Sequence, residues 1–222
     1  MMDKIKRPII TLDGPSASGK GTIAKLIAKD FNLYNLETGV FYRVLGKEFL
    51  GKSINGDILK FLSGLKKNIF LINKSYKKEL YQEKIGVEAS KLAKLKVVRS
   101  FILLEQKKIL TNYPKKFKGI ILEGRDCGTV IAPEANIKFF LNAKVEIRAK
   151  RRYEQLLTKK NEINYENILK DLISRDRNDI KRKHSPLKKA DDATEIDCSF
   201  RSIEETIMIV KKIILSKLPN FK

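Results

Sequence analysis

The chain is poor in the residues on which several classes of site depend. Its 222 residues include one histidine, His184, and two cysteines, Cys127 and Cys198. A catalytic triad or an HExxH zinc site that needs a second histidine is therefore excluded. Both cysteines lie in or beside apolar runs, which argues against a disulfide framework or a cysteine metal site. We expect His184 to face solvent within a basic segment.

Long apolar runs are also missing. No stretch approaches the roughly 18 consecutive apolar residues of a membrane span. The first residues, Met1 to Arg7, are too polar for a secretory signal. We therefore expect a cytoplasmic protein with no membrane partner. Apolar residues still make up 42% of the chain, which is enough for the core of one compact domain over residues 1–222.

Negative charge is scarce relative to positive charge. The chain has 47 Lys and Arg against 26 Asp and Glu, a net charge of +21. This charge would attract phosphorylated substrates or nucleic acid. The 7 Tyr and 11 Phe, with no Trp, do not interleave with basic residues as a base-stacking surface requires. We expect solvated lysine faces and no specific nucleic-acid partner, and keep a basic RNA-binding protein as an alternative.

The strongest motif is a glycine-rich run near the start of the chain. It consists of Gly14, Pro15, Ser16, Ala17, Ser18, Gly19, Lys20, Gly21 and Thr22. An apolar stretch, Pro8 to Leu12, precedes it, and Ile23, Leu26 and Ile27 follow on one helical face. This context predicts a loop whose backbone N–H groups bind a polyphosphate, with Lys20 reaching its β and γ oxygens. The hydroxyl that usually follows the lysine is displaced by one position, to Thr22.

The pattern of the whole chain predicts an α/β fold of the P-loop type. Apolar strands at Pro8–Leu12, Gly119–Leu122 and Ile137–Leu141, and a weaker one at Ala193–Cys198, alternate with helical patterns. This alternation predicts a mainly parallel sheet flanked by helices, with a ligand crevice beyond the carboxyl ends of the strands. A capping box at Ser202 marks the start of the last helix.

Two regions of the predicted domain differ from this alternation. The region from about residue 40 to about residue 98 contains helix-like stretches, a polar interruption from Asn73 to Lys78, and no second phosphate loop. We interpret this region as an insert. The region from about residue 146 to about residue 184 has a helical pattern and is rich in arginine, with a polar break near Lys159 to Asn164. In a phosphoryl-transfer enzyme, this region suits a lid that closes over ATP.

Three short strings outside the phosphate loop carry arginine. They are Glu37–Arg43, Glu123–Thr129 and Arg175–Arg182. Guanidinium groups match phosphate bidentately, so converging arginines favour a phosphate acceptor that is already an anionic nucleophile. In the other interpretation the acceptor is a neutral hydroxyl and Asp126 is its general base. The residues by themselves leave both interpretations open.

The motifs resemble those of a known family. Gly-Lys-Gly-Thr at residues 19–22 is similar to the nucleoside monophosphate kinases, and the string from Asp13 to Thr22 resembles the long form of bacterial cytidylate kinases. The similarity continues in order and spacing to Pro186-Leu187. It implies ATP-dependent phosphorylation of CMP and dCMP with Mg²⁺, on a core that carries a nucleoside-monophosphate-binding insert and a lid. We expect a monomer with these small-molecule partners.

The resemblance also implies roles for individual residues. The catalytic residues would be Lys20, Arg125, Asp126 and Arg175. The ATP-binding residues would be Gly14 to Thr22 together with Arg148, Arg151 and Arg152. The acceptor-binding residues would be Thr38, Arg43, Ser90, Arg99, Asp126, Asp179 and Arg182. No side chain is assigned as a metal ligand. The alternative within enzymes is another small P-loop nucleoside monophosphate or metabolite kinase.

Overall fold

The computed structural model describes residues 7–52, 58–65, 69–70, 74–157, 163–219 and 221. Within them, the strands are β1 (Ile9–Asp13), β2 (Leu33–Glu37), β3 (Gly119–Gly124), β4 (Ile137–Asn142) and β5 (Thr194–Asp197). The helices are α1 (Lys20–Asp30), α2 (Gly39–Phe49), α3 (Ile58–Ser63), α4 (Lys74–Leu80), α5 (Glu83–Leu92), α6 (Lys96–Asn112), α7 (Val145–Leu157), α8 (Tyr165–Lys181) and α9 (Ile203–Lys217). A short π-helical turn, Cys127–Ile131, follows β3.

The described strands form one parallel sheet in the order β2-β3-β1-β4-β5. This confirms the predicted fold class and the four predicted strands. The sequence pattern missed β2, because partly buried Tyr34 and Asn35 interrupt its apolar residues Leu33 and Leu36. Since β1 lies between β3 and β4, the residues that follow these three strands share one edge of the sheet, where parallel α/β folds bind ligands.

The sheet is covered on its faces by helices that bury apolar side chains. Ile10 and Leu12 of β1 are fully buried, and they belong to a core that includes Ile27 of α1 and Val210 of α9. Burial of apolar surface stabilises such a core by about 25 cal/mol for each Å² removed from water. The core fixes β1, and with β1 the loop that follows it.

The capping box predicted for the last helix is present at the start of α9. The Ser202 hydroxyl accepts a hydrogen bond from the N–H of Glu205 at 3.1 Å, and the Glu205 carboxylate accepts one from the N–H of Ser202 at 2.8 Å. Together they satisfy two N–H groups that the helix itself leaves without partners.

The chain divides into two compact units. The sheet unit contains Met1–Glu37 and Tyr113–Lys222, and the helical unit contains Thr38–Asn112. The predicted insert of about 40–98 falls within the helical unit. The two helices of the predicted lid, α7 and α8, fall within the sheet unit. The exact bounds of the insert and of the lid stay predictions. Most of the predicted polar break near Lys159 lies outside the described residues, as does Asn73 of the other interruption.

The helical unit has its own apolar packing. Val40 and Val44 of α2 and Leu80 at the end of α4 form a buried cluster. Helices α2 and α5 approach closely at Gly46, where a Cβ atom would lie 2.9 Å from the carbonyl oxygen of Ile85 and from the nitrogen of Ala89. Only glycine permits this approach, so Gly46 sets the position of α2 against α5.

Across the part of the chain that the structure describes, every helix is too short or too polar to span a membrane.

Candidate active site

The phosphate loop that connects β1 to α1 has a backbone that requires glycine at both ends. Gly14 has a φ of 153°, and a Cβ atom there would lie 2.1 Å from the carbonyl oxygen of Leu141. Gly19 precedes the first helical residue with a φ of 90°, in the left-handed region. Ala17 also has a positive φ of 59°, a strained conformation for a residue with a Cβ atom. Such strain is typical of a loop shaped around a ligand.

The polar side chains of Ser18 and Lys20 in this loop are buried. The Lys20 amine donates a hydrogen bond to the carbonyl oxygen of Pro15 at 2.8 Å. The Ser18 hydroxyl oxygen is buried and has no hydrogen-bond partner within the described residues. A buried hydroxyl without a partner is costly unless a ligand satisfies it. Together with the N-terminus of α1, Ser18 and Lys20 fit the oxygens of a phosphate chain.

The surroundings of the Lys20 amine disfavour its charged form. Its burial, followed by the positive charge of Arg125, lowers the pKa of Lys20 from 10.5 to about 7. The carboxylates of Glu123, Asp179 and Asp13 act in the opposite direction but do not offset this effect. A bound polyphosphate would supply the missing negative charge and restore the ammonium form.

Arg125 follows β3 and connects the phosphate loop to α8. Its Nη2 donates to the Ser16 hydroxyl at 2.8 Å, and its Nε donates to the Asp179 carboxylate at 2.9 Å. Asp179 also accepts a hydrogen bond from Nη1 of Arg182 at 3.2 Å. Arg182 in turn donates from Nε to the carbonyl oxygen of Ser185 at 2.6 Å, and its Nη2 lies 3.9 Å from the Asp126 carboxylate.

The third arginine string runs past the end of a helix. Helix α8 ends at Lys181, and Arg182 has an extended backbone. Arg182 therefore reaches Asp179 from outside the helix instead of from its next turn. Arg175 remains exposed, but the protein atoms around its guanidinium and the charge of Arg125 lower its pKa. It stays a cation at physiological pH.

Asp13 at the end of β1 holds the loop that carries Asp126. Its buried carboxylate accepts hydrogen bonds from the N–H groups of Cys127 and Gly128 at 2.9 and 2.7 Å. Burial raises the pKa of Asp13, and the two N–H groups lower it in part. The π-helical turn begins here, and the carbonyl oxygen of Asp126 accepts from the N–H groups of Val130 and Ile131. No role was predicted for Asp13 from the sequence pattern, although it stands directly before the glycine-rich run.

The three arginines expected to cover ATP have different surroundings. Arg148 is buried: its Nη1 donates to the carbonyl oxygen of Ser16 at 2.9 Å, and its Nη2 lies 2.6 Å from the Asp176 carboxylate. It therefore ties the phosphate loop to α8. Arg151 donates to the carbonyl oxygen of Cys198 at 2.6 Å, and Arg152 donates to Gln155. A role in ATP binding stays a prediction for all three.

The helical unit carries the other expected acceptor residues. Thr38 is buried directly before α2, and its carbonyl oxygen accepts from Gln106 at 3.3 Å. Ser90 lies in α5, and Arg99 lies in α6 with its guanidinium 5.4 Å from the centre of the Tyr42 ring. Arg99 is largely buried and also donates to the carbonyl oxygen of Ala93 at 3.3 Å. The structure thus fixes Arg99 by contacts within this unit.

Comparison with known proteins adds to this geometry. A family model described as cytidylate kinase matches residues 10–216. The chain belongs to the cytidylate kinase family. The cytidylate kinase of Fusobacterium nucleatum is 43% identical over 220 residues, which cover 95% of this chain and 97% of that protein. The cytidylate kinase of Thermosipho africanus is 40% identical over 218 residues, covering 94% and 95%.

A solved structure supports the fold independently. The crystal structure of an uncharacterized protein from Eubacterium ventriosum matches with a TM-score of 0.50 at 14% identity, over 95% of this chain and 99% of that one. At this identity the similarity concerns the fold alone. It agrees with the parallel sheet described above.

In a member of the cytidylate kinase family, a metal ion would bind near the phosphate loop. The described residues contain no cluster of three or more His, Cys, Asp or Glu side chains that could bind a metal unaided. The Glu123 carboxylate faces the loop: a Cβ atom added to Gly21 would lie 3.9 Å from its oxygens. The arrangement fits an ion that arrives with a polyphosphate and keeps most of its water.

Proposed function

We propose that the protein transfers the γ-phosphoryl group of ATP to CMP and dCMP, forming CDP and dCDP. The observation that carries this proposal is the link from Ser16 of the phosphate loop through Arg125 to Asp179 and Arg182, in a chain of the cytidylate kinase family. The link joins groups suited to a donor polyphosphate with groups suited to a second anion. The relatives named above are cytidylate kinases over nearly their full length.

The donor side is the phosphate loop. The residues from Gly14 to Thr22 would bind the phosphates of ATP through backbone N–H groups, the Ser18 hydroxyl and the Lys20 amine. Lys20 would neutralise the transferring group, for which it must be protonated. Because the protein alone lowers the pKa of Lys20, the negative charge of ATP would stabilise the proton on its amine.

On the acceptor side we assign residues within each unit. In the sheet unit, Arg182 would bind the acceptor phosphate, Asp179 its ribose and Asp126 the cytosine edge. In the helical unit, the assigned residues are Thr38, Arg43, Ser90 and Arg99. Each set contains arginine, which favours a phosphate acceptor over a neutral hydroxyl because an anionic nucleophile needs positioning and charge neutralisation more than a base.

A divalent ion accompanies ATP in this proposal, and we name it Mg²⁺. Mg²⁺ binds through one or two protein oxygens together with phosphate oxygens and water, and the Glu123 carboxylate and the Thr22 hydroxyl are the groups near the loop that would hold it. When bound, it would neutralise charge on the β- and γ-phosphates.

In the reaction, an oxygen of the acceptor phosphate forms a bond to the γ-phosphorus of ATP. The bond from that phosphorus to the bridging oxygen breaks, and ADP leaves with the electron pair. Negative charge spreads over the oxygens of the transferring group in between. Lys20, Arg125 and Arg175 are the cations that we assign to this charge, since donors fixed in advance stabilise it without reorganising.

The proposal is tested by steady-state ADP release with ATP, Mg²⁺ and one acceptor at a time: CMP, dCMP, UMP, AMP or dTMP. Turnover mainly with CMP and dCMP is expected. Preference for another nucleotide would keep the kinase and reject the base assignment. Salt-dependent RNA binding without turnover would favour the RNA-binding alternative, which neither the family match nor the described residues favour. A monomeric state and a cytoplasmic location remain predictions.

A further inference from the structure

The guanidinium of Arg43 is held by the last residue of α4 and by the residue that follows it. Its Nη1 donates a hydrogen bond to the carbonyl oxygen of Leu80 at 2.9 Å. Its central carbon lies 4.9 Å from the centre of the Tyr81 ring, within the range of a cation–π contact. Two neighbouring residues therefore contact the same cation, one through a backbone oxygen and one through a ring.

Gly86 bounds the guanidinium on another side. A Cβ atom added to Gly86 would lie 3.2 Å from Nη1 and 3.3 Å from Nη2 of Arg43. Contacts this short would displace the guanidinium. Gly86 lies inside α5, where glycine is less favourable than alanine, and its backbone is helical, so local conformation does not require it. The space that it leaves is the space that the Arg43 side chain uses.

The backbone that carries Arg43 is fixed as well. Arg43 lies one helical turn before Gly46, the point at which α2 approaches the backbone of Ile85 and Ala89 in α5. Because α2 and α5 are in close contact there, a change at Gly86 is taken up by the Arg43 side chain rather than by a movement of the helices.

We propose that Gly86 and Tyr81 are positioning residues for Arg43: they hold its guanidinium in the conformation that binds the acceptor phosphate. This inference rests on the proposed function, in which Arg43 contacts CMP. An arginine side chain loses rotational freedom when it is immobilised, so holding it before the substrate arrives lowers the free-energy cost of binding. Gly86 and Tyr81 would act through Arg43 and would not touch the nucleotide.

The main test is Gly86→Ala. Helix α5 should be as stable or more stable, because alanine is the better helix former, and the thermal midpoint should not fall. The KM for CMP should rise about tenfold, the effect of weakening one hydrogen bond to a charged group. The KM for ATP should stay constant. Val87→Ala is the matched control, since Val87 is the next residue of α5 and its side chain is exposed. This variant should leave the KM for CMP and the KM for ATP unchanged, and its thermal midpoint should be the same or higher.

The ring of Tyr81 provides a second, independent test. Tyr81→Leu should raise the KM for CMP, and Tyr81→Phe, which keeps the ring, should not. In an Arg43→Ala background, neither Gly86→Ala nor Tyr81→Leu should change kcat/KM for CMP further, because both act through the missing guanidinium.

Three results would overturn the inference. One is a wild-type KM for CMP in both Gly86→Ala and Tyr81→Leu. Another is a loss of kcat that follows a lower thermal midpoint, which indicates a structural role. The third is an additive effect of these variants in the Arg43→Ala background. If the wild-type protein does not phosphorylate CMP at all, the proposed function fails and takes the inference with it.

Discussion

Arg125 and Asp179 form an ion pair with an Nε to Oδ2 distance of 2.9 Å, although they are 54 positions apart in the chain. The pair joins the loop after β3 to helix α8, and both side chains remain partly accessible. Asp179 is shared with Arg182. A single carboxylate therefore keeps two guanidinium groups together that would otherwise repel each other, and a substrate anion can be bound beside them.

The first prediction concerns this shared carboxylate. In Asp179→Asn, the size of the side chain is kept but the charge that holds Arg125 and Arg182 is lost. We expect kcat/KM for CMP to fall about tenfold or more, the order expected for hydrogen bonds to charged groups. Asp191→Asn is a matched control, because Asp191 is 98% exposed and pairs only loosely with Lys188 at 3.9 Å. Equal kinetics for the two variants would contradict the role of Asp179.

The second prediction concerns catalysis by Lys20. Lys20→Met keeps the apolar stem and removes the amine that we assign to the transferring phosphoryl group. Turnover with CMP should fall about 100-fold or more, the range found when one preorganised donor to a developing anion is removed. Circular dichroism should show an unchanged fold. Turnover close to that of the wild type would exclude this role for Lys20.

The third prediction follows from the pKa of Lys20, which is about 7 in the protein alone. At pH 8 most of the free protein has a neutral amine, and bound ATP raises the pKa, so binding should take up a proton. At pH 6 the amine is already charged and uptake from this group should vanish. Isothermal titration calorimetry in buffers of different ionisation enthalpy measures the uptake. The same uptake in Lys20→Met at pH 8 would assign the proton to another group.

Sequence patterns predicted which residue types occur in the candidate site better than they predicted which residues form hydrogen bonds with each other. The glycine-rich run, the capping box of Ser202 and four strands could be read because each depends on residues close together in the chain. The hydrogen bond from the Cys127 N–H to Asp13 spans 114 positions, and the one from the Ser16 N–H to Asp176 spans 160. They depend on the strand order, which alternation of strands and helices does not determine.

The same limit explains which functional residues the sequence missed. Asp176 stood inside a string noted for its arginines, yet its partner Arg148 lies in another helix. Glu123 began another such string but was assigned no role, although it is the first polar residue after the apolar residues of β3. The hydrophobic pattern of β2 was too weak to be recognised because Tyr34 and Asn35 are only partly buried and interrupt it. The surrounding sheet, not local propensity, makes this segment a strand.

The fourth prediction concerns the buried pair of Arg148 and Asp176, whose side chains are 6% and 13% exposed. Arg148→Met leaves a buried carboxylate without its cation and releases the carbonyl oxygen of Ser16. The free energy of unfolding should fall by about 3 kcal/mol, and the KM for ATP should rise because the phosphate loop is less well held. Urea denaturation and steady-state kinetics measure the two effects.

The control for this buried ion pair is an ion pair at the surface of α6. Lys108 and Glu105 lie 2.6 Å apart at the surface, and Lys108→Gln should change the free energy of unfolding by less than about 1 kcal/mol. If Arg148→Met were no more destabilising than Lys108→Gln, the Arg148 side chain would not hold the loop.

The central claim is the transfer of a phosphoryl group from ATP to CMP, and label transfer tests it most directly. The protein is incubated with Mg²⁺, CMP and ATP labelled in its γ-phosphate, and the nucleotides are separated. The account predicts label in the β-phosphate of newly formed CDP, with much less in a parallel reaction with Lys20→Met. Label released only as inorganic phosphate, or recovered in a product other than CDP, would contradict it.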